Sequence, residues 1–503
     1  MPAVAPHVKA AIDADPNIFG KRVREQFDKL IVGPLSKIAH DTTKFGSFVV
    51  IVDALDECDR DEDVELIIQL FLHTTTTLQS LQLRVFATCR PELPIRLGFN
   101  AIKGTYQDVI LHDIPAHVIE HDIAAYLEKE LATIRTKYNA SVSADRHLEP
   151  GWPGEGHAKD LVKMAVPLFI FAATVCRFLA DRRCGNPNKQ LKAVLEFRTE
   201  SQASQLDATY LPILSRLIEG LTTQQKHAVI VRFRDIIGSL VILAIPLSAS
   251  TLGRIFNRPK DTVDDQLDML HLVLSIPSSE QSPVRLLHLS FRDFLVDPEK
   301  RGENQFWIDE EVAHGHMAMK CLHVLEKHLR TDTCNLVQPG TSRSSINPEV
   351  IDAHIPPEVR YACLYWAYHT ERGKDTIDDN GPEYHFLLQH VLHWLEALSL
   401  IGKVYESLKI IQVLRSSLKL ENTGELLGFL EDAVQLIKVN IKTMDDTPLQ
   451  IYSSALVFAP SNSPVRKALK DQIPNWIALA PKPESNWDRT MVLEGHNCIV
   501  TPH

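Results

Sequence analysis

The chain has 503 residues, of which 45% are hydrophobic and 23% charged, and its formal net charge is −11. This composition is typical of a globular protein with several domains. The negative charge disfavours a general role in binding nucleic acid or anionic membranes, because contact with phosphates needs clustered Lys and Arg. The eight cysteines are scattered and form no CxxC pair. A zinc site or a dense disulfide framework is therefore not expected, and a reducing compartment, the cytoplasm, is favoured.

The N-terminal part of the chain alternates between helical and strand patterns. Residues 21–38 carry apolar residues at helical spacing and predict a helix. The run FVVIVDALDEC at 48–58 predicts a buried parallel strand that brings Asp53 to the carboxyl edge of a sheet, where such sheets bind ligands. A helix follows, then a second strand in LRVFATCRPE at 83–92, and the apolar segment at 108–115 is a candidate for another strand. This order is typical of a parallel sheet with crossover helices.

From Ala116 onwards the pattern is helical. Residues 234–297 predict three helices, with Ser248 as the N-cap of the second, followed by two short strands, which is the order of a winged helix. The third of these helices carries four carboxylates that would repel DNA phosphates, so a packing role is expected rather than DNA binding; they belong to Asp261, Asp264, Asp265 and Asp268. Further helices follow Asp309, and the Pro-rich stretch at 473–487 predicts a linker. The longest uncharged run, 236–253, is interrupted by a proline and two serines, so no membrane span is expected.

Five segments carry a resemblance to a known family. They are DALDEC (53–58), TCRP (88–91), VPLFIFAATVCRF (166–178), LLHLSFRDFL (286–295) and HWLEALSL (393–400). On these residues the chain resembles the fungal NACHT proteins, signal-transducing P-loop NTPases related to animal inflammasome and plant resistance receptors. The best-known members control vegetative, or heterokaryon, incompatibility. The terminal LEGHNCIV at 493–500 resembles the opening of the first blade of a WD-repeat β-propeller, which such proteins often carry next.

The resemblance implies an α/β plus all-α fold in five parts. They are the C-terminal part of a NACHT NTPase core with its Walker B and sensor strands but no Walker A (1–115), a helical domain (116–205), a winged-helix domain (206–300), an α-helical domain (301–470), and a linker with the start of the first WD repeat (471–503). The sheet of the P-loop NTPase would be incomplete. The chain is thus expected to begin inside the NTPase domain and to end inside the first propeller blade.

The resemblance also implies a role for each matching residue. Asp53 would hold Mg²⁺, and Asp56 or Glu57 would polarise the attacking water. Arg90 would sense the γ-phosphate. Pro167 would lie against the nucleotide base, and His288 would touch the β-phosphate in the diphosphate-bound state. In intact relatives the nucleotide would be ATP or GTP with Mg²⁺. An arginine suits the γ-phosphate because charge-assisted hydrogen bonds to phosphate are strong.

Simpler interpretations of the same residues stay open. The carboxylates could form an acidic loop after a core strand, and Arg90 could pair with Glu92 or Asp53. Pro167 and His288 could belong to the apolar core. A metal site at the three histidines of the 385–393 segment is disfavoured, because no Cys or carboxylate completes a ligand set at suitable spacing.

The chain departs from the family at the phosphate-binding loop. Walker A needs GxxxxGK[ST], whose backbone N–H groups surround the phosphates. The Gly-Lys pairs at Gly20, Gly373 and Gly402 are followed by Arg22, Asp375 and Val404 rather than Ser or Thr. In the family this loop would lie upstream of Met1. We therefore expect the chain alone to bind no nucleotide tightly and to show no ATPase activity.

The leading interpretation is part of a nucleotide-controlled signalling switch of the fungal, NLR-like type, acting in allorecognition and programmed cell death. Its partners would be proteins, as a homo-oligomer or with a full-length relative, and neither nucleic acid nor a membrane. One alternative is a non-catalytic interaction module or decoy whose helical half, 310–437, binds a partner or a full-length relative. Another is an active NTPase whose P-loop comes from a second chain.

Overall fold

The computed structural model shows a mainly helical protein with two small sheets. It describes residues 4–15, 18, 21–39, 48–58, 61–78, 82–90, 93–111, 114–196, 203–277, 279–373, 377–418, 423–477 and 482–487. The chain divides into two compact units, Met1–Ile114 and Pro115–His503, and each has buried apolar clusters of its own. The prediction of a long helical part is confirmed.

The first unit combines helices with one parallel pair of strands. In its described residues the helices are α1 (Ala5–Ala14), α2 (Val23–Phe27), α3 (Gly33–Ala39), α4 (Asp61–Thr77) and α5 (Leu93–Ala101), and the strands are β1 (Val49–Val52) and β2 (Arg84–Ala87). A π-helical turn, Asp28–Val32, joins α2 to α3, so the predicted helix at 21–38 continues through Pro34. In the π turn the backbone hydrogen bonds span five residues instead of four. The turn comes just before Pro34, whose nitrogen has no hydrogen to donate.

Strands β1 and β2 pair in parallel, with Val49 opposite Arg84 and Val52 opposite Ala87. Helix α4 is the crossover that a parallel pair requires. Val50 and Val52 pack against small apolar clusters on one side of the sheet. On the other side Ile51 is 70% exposed. The prediction that this strand is buried is therefore wrong for one of its faces, because no described element covers that face.

The predicted third strand at 108–115 is also wrong for the residues that the structure describes. Residues 107–110 have no regular secondary structure, and the side chains of Val109, Ile110 and Leu111 are mostly exposed. A strand needs a neighbour for its N–H and C=O groups. In the described part of the chain, β1 and β2 pair only with each other.

The second unit is built almost entirely from helices. Its N-terminal part contains α6 (Ala116–Asn139), α7 (Glu155–Ala165), α8 (Phe169–Ala180), α9 (Pro187–Glu196) and α10 (Ala203–Leu214). Its middle part contains α11 (Thr223–Val241), α12 (Ala249–Ile255), α13 (Lys260–Asp268), β3 (Leu274–Ser275), β4 (Arg285–Leu286) and α14 (Ser290–Val296). Its C-terminal part contains α15 (Glu310–His328), α16 (Pro348–His354), α17 (Pro357–Arg372), α18 (Pro382–Leu400), α19 (Glu406–Ser416), α20 (Gly424–Asp446), α21 (Leu456–Phe458) and α22 (Pro464–Leu469).

The middle part has the predicted order of three helices followed by an antiparallel pair of strands. The Ser248 side chain accepts a hydrogen bond from the Thr251 N–H at 3.3 Å, so its prediction as an N-cap is confirmed. Helix α13 ends at Asp268, and the buried residues Leu270, Leu272 and Val273 lead from it into β3. The assignment of these elements to a winged helix stays a prediction.

Ion pairs join the middle part to the C-terminal helices. Arg254 Nε of α12 lies 2.7 Å from Glu358 Oε1 of α17, and the Glu358 side chain is only 4% exposed. Lys320 Nζ of α15 donates to Asp235 Oδ1 of α11 at 2.6 Å and lies 4.5 Å from the ring centroid of Phe256. One continuous apolar cluster fills the space between these helices.

The predicted linker is partly packed onto the helices. The Ser461 N–H donates to the Glu484 carbonyl at 2.8 Å, and the Trp487 indole N–H donates to Asp432 Oδ1 of α20 at 2.6 Å. The segment LEGHNCIV, with its predicted WD-repeat start, lies outside the described residues. In the part of the chain that is described, no helix is long and apolar enough to cross a membrane.

Candidate nucleotide-phosphate site

The end of β1 places the Asp53 carboxylate at the carboxyl edge of the parallel pair. Thr88 follows β2 at the matching position, because the register sets Val52 opposite Ala87. The Thr88 hydroxyl donates to Asp53 Oδ1 at 2.5 Å and accepts the Ala54 N–H at 2.8 Å. The Asp53 carboxylate is solvent-exposed. Thr88 therefore orients Asp53 while leaving it accessible to a ligand.

The backbone after Asp53 makes a tight turn. Ala54 has φ of +53°, in the left-handed region that non-glycine residues rarely adopt. The turn is held because the Leu55 N–H donates to the Thr88 carbonyl at 2.9 Å and the Leu55 side chain is buried with Val64 and Ile68. A 3-10 turn, Leu55–Glu57, follows.

Asp56 points into the protein and holds the segment after β2. Its Oδ1 accepts the Arg90 N–H at 2.9 Å, and its Oδ2 lies 3.9 Å from Arg90 Nε. The Asp56 side chain is 5% exposed, whereas that of Arg90 is 39% exposed. Burial, followed by the Asp56 charge, raises the pKa of the neighbouring Cys89 thiol. The contacts of Asp56 are those of a residue that positions Arg90, and its role with an attacking water stays a prediction.

The side chain of Glu57, the other predicted water-polarising residue, lies outside the part of the chain that the structure describes. Its backbone ends the 3-10 turn. The structure thus brings together Asp53, Asp56 and Arg90 at one sheet edge, as the sequence predicted.

The oxygen atoms at this edge suit Mg²⁺ only when a phosphate supplies further ligands. Mg²⁺ typically keeps several waters and binds one or two carboxylates together with substrate phosphates. Asp53 is one exposed carboxylate with a hydroxyl beside it. In the described residues no group of three or more His, Cys, Asp or Glu side chains could hold a metal ion. The residues therefore fit Mg²⁺ that arrives with a nucleotide, and they do not form a self-sufficient metal site.

Pro167 and His288 lie in the second unit. Pro167 is exposed in the turn between α7 and α8, and the carbonyl of the preceding Val166 accepts the side-chain N–H of Gln205 at 2.6 Å. His288 is exposed between β4 and α14. The simpler interpretation that these two residues are core is therefore wrong, because both side chains reach the surface.

Two of the three histidines of α18, His390 and His393, form a hydrogen-bonded pair. His390 Nδ1 lies 3.1 Å from His393 Nδ1, and His393 Nε2 lies 3.1 Å from the Thr331 hydroxyl. Burial lowers the pKa of His393 to about 4. These contacts occupy both nitrogens of His393 with protein groups.

Two sets of contacts at the predicted site residues were not expected from the sequence. The first is Thr88, whose contact with Asp53 follows from the parallel register of two strands that each end in a polar residue. The second is a chain of hydrogen bonds that reaches His288 from Tyr210 through Ser290. Tyr210 lies on α10, far away in sequence, so no local pattern indicated it.

Two comparisons with known proteins bear on these residues. The family model Nephrocystin 3, N-terminal, matches residues 1–90, which include β1, β2 and Asp53. Vegetative incompatibility protein HET-E-1 of Podospora anserina is 25% identical over 477 residues, or 90% of this chain and 33% of that protein. The chain thus spans about a third of the length of the relative it matches. The resemblance to fungal vegetative incompatibility proteins is confirmed.

Proposed function

We propose that this chain is part of a nucleotide-controlled signalling switch that acts in fungal incompatibility. The observation that carries the proposal is the exposed Asp53 carboxylate, held by Thr88 at the carboxyl edge of a parallel pair. Such edges are where open α/β sheets bind ligands. The similarity to a protein named for vegetative incompatibility supports the biological setting.

Asp53 would hold Mg²⁺ beside the phosphates of ATP or GTP. One carboxylate oxygen is occupied by the Thr88 hydroxyl, so the other is the one to face the ion. A bound Mg²⁺ would neutralise phosphate charge. Asp56 keeps Arg90 at the same edge, where its guanidinium would distinguish the triphosphate from the diphosphate.

The two states of the switch would differ in nucleotide. The diphosphate would favour a closed state in which Pro167 contacts the base and His288 the β-phosphate. The triphosphate would permit assembly with other copies or with a protein partner. A ligand shifts such an equilibrium only through different affinities for the two states, and the γ-phosphate contact of Arg90 supplies that difference.

Tight phosphate binding needs an element that the 503 residues do not contain. No GxxxxGK[ST] motif occurs in the sequence, so the backbone N–H groups that usually surround the phosphates must come from another segment or another chain. By itself the chain is expected neither to bind nucleotide tightly nor to hydrolyse it.

The proposal can be tested in Podospora by exchanging the matched part of the incompatibility protein for this chain. We expect the chimera to trigger incompatibility-type cell death and the Asp53→Ala chimera to fail at equal expression. Thr77→Ala, an exposed change in α4, serves as the matched control. Equal cell death with Asp53→Ala would favour a nucleotide-independent interaction module instead.

A further inference from the structure

Residues 482–487, here called the strap, lie against the C-terminal helices of the second unit. The backbone N–H groups of Ser461 and Asn462 donate to the carbonyls of Glu484 and Ser485, at 2.8 and 3.1 Å. Four of the six strap residues are exposed. Segments with few buried apolar contacts and solvent-exposed hydrogen bonds open at a lower free energy than the core around them. The strap has these properties along most of its length.

Trp487 anchors the strap at its end. The indole N–H donates to Asp432 Oδ1 of α20 at 2.6 Å, and the ring packs against the main apolar cluster. The Asn462 side chain adds a weaker contact, donating to Asn486 Oδ1 at 3.2 Å. The hydrogen bond of the indole is the strongest polar contact of the strap, because its acceptor is a carboxylate.

The two oxygens of the buried Asp432 carboxylate have different partners. Oδ1 accepts only the indole among the described groups, whereas Oδ2 accepts the Ser463 hydroxyl at 2.5 Å and the Val465 N–H at 3.0 Å. These two donors belong to the start of α22. One oxygen therefore holds the strap and the other holds a helix.

Helix α22 does not depend on the strap for its position. The side chains of Val465 and Leu469 are buried in the main apolar cluster, and the Ser463 hydroxyl caps the helix by accepting the Arg466 N–H at 3.1 Å. Asp432 and Trp487 also line an open cleft of about 570 Å³. Water from this cleft can replace the indole at Oδ1, so departure of the strap leaves no buried polar group without a partner.

We propose that the strap is a detachable element. It leaves the α20 surface as one unit when the indole of Trp487 separates from Asp432, while α20 and α22 keep their structure. In the closed state the strap fixes the point at which the chain beyond Trp487 leaves the helices, and in the open state it releases that chain. A protein that binds the residues after Trp487 and prefers the open state would therefore shift the equilibrium towards release.

The experiment is amide hydrogen exchange of the full chain, resolved to single residues by mass spectrometry. The N–H groups of Ser461 and Asn462 report on the strap, because they donate to it and belong to exposed residues. The Val465 N–H reports on α22. In the wild-type protein, Ser461 and Asn462 should share one free energy of opening that is lower than that of Val465.

The decisive variant is Trp487→Phe, which keeps an aromatic ring and removes the indole N–H. The exchange rates of Ser461 and Asn462 should rise by the same factor, at least about tenfold, because a hydrogen bond to a charged group is lost. The rate of Val465 should not change. Trp476→Phe is the matched control at a side chain that is 66% exposed, and it should leave all three rates unchanged.

Three results would overturn the proposal. Unchanged rates at Ser461 and Asn462 in Trp487→Phe would show that the indole is not the anchor. Different factors at these two residues would show that the strap does not open as a unit. An equal acceleration at Val465 would show that the strap is an integral part of the helices. The nucleotide site takes no part in the measurement, so its result is independent of the proposed function.

Discussion

Glu396 is a buried acid whose protonation should control the stability of the second unit. It lies on α18, fully buried, and its carboxylate accepts the N–H of Asp332 at 3.0 Å, the N–H of Thr333 at 2.7 Å and the hydroxyl of Tyr452 at 2.6 Å. None of the described ion pairs involves it. Burial raises the pKa of Glu396 to about 7, although these three hydrogen bonds lower it.

The size of the effect follows from this pKa and the ordinary value of 4.5. Between these two pH values the folded chain keeps a proton that the unfolded chain has lost. The contribution of Glu396 to the free energy of unfolding is therefore fully present below pH 4.5. It is lost as the pH rises through about 7. Since one pKa unit corresponds to about 1.4 kcal/mol, the total change is roughly 3 kcal/mol.

The test variant is Glu396→Gln, which cannot ionise. Its amide keeps one acceptor oxygen but leaves an N–H of the 332–333 loop without an acceptor, at a cost of roughly 1–3 kcal/mol. The variant should be less stable than wild type at pH 5. Its free energy of unfolding should fall less between pH 5 and 8, so that the two proteins approach each other at pH 8.

Tryptophan fluorescence during urea unfolding is the assay, because all six tryptophans follow residue 115 and report on the second unit. Glu311→Gln, at an exposed position of α15, is the matched control and should leave the pH dependence of wild type unchanged. The reasoning would be refuted if Glu396→Gln retained the full pH dependence of the wild-type protein.

Two other predictions follow from single contacts. Arg254→Ala removes a half-exposed cation from the buried Glu358 carboxylate and should lower the free energy of unfolding by roughly 1–3 kcal/mol; the added change Glu358→Gln should recover part of this loss, and no recovery would speak against the ion pair. Thr88→Val removes the acceptor of the Ala54 N–H and the donor to Asp53. The hydrogen exchange rate of the Ala54 amide should then increase about tenfold, because the free energy of local opening at Ala54 falls by ~1.4 kcal/mol. An unchanged rate would contradict the role given to Thr88.

Elements with a strong local pattern could be predicted from the sequence. The run FVVIV ends in an acid, and the structure accordingly has strand β1 with Asp53 at its carboxyl end. Ser248 before a helical pattern indicated an N-cap, and the structure has one. In these cases the residues that decide the structure are neighbours in sequence.

Features that depend on distant partners could not be predicted. The 108–111 segment has the composition of a strand but no described strand beside it, and its side chains are exposed. Glu396 interrupts the apolar segment HWLEALSL, which signals a buried acid. Its partners come from the irregular 332–333 loop and from Tyr452, and no periodicity links them to α18.

The candidate site was predicted in its composition and only partly in its contacts. Asp53, Asp56 and Arg90 lie at one edge, as parallel strands require. No local pattern of residues predicts that the Asp56 side chain turns inward and accepts the backbone N–H of Arg90. The direction of the Asp56 side chain depends on the left-handed backbone conformation of Ala54 and on the burial of the Leu55 side chain.

The most direct test of the proposed switch is calorimetric titration of Mg-ADP and Mg-ATP into two proteins. One is this chain, and the other is the same chain joined to the parts of the Podospora relative that the match does not cover. We predict no binding to the chain alone. We predict Mg²⁺-dependent binding of nucleotide to the extended protein. Asp53→Ala should lower the affinity at least tenfold, which corresponds to about 1.4 kcal/mol of binding free energy. Tight binding to the chain alone, or binding by the extended protein that Asp53→Ala leaves unchanged, would contradict the proposal.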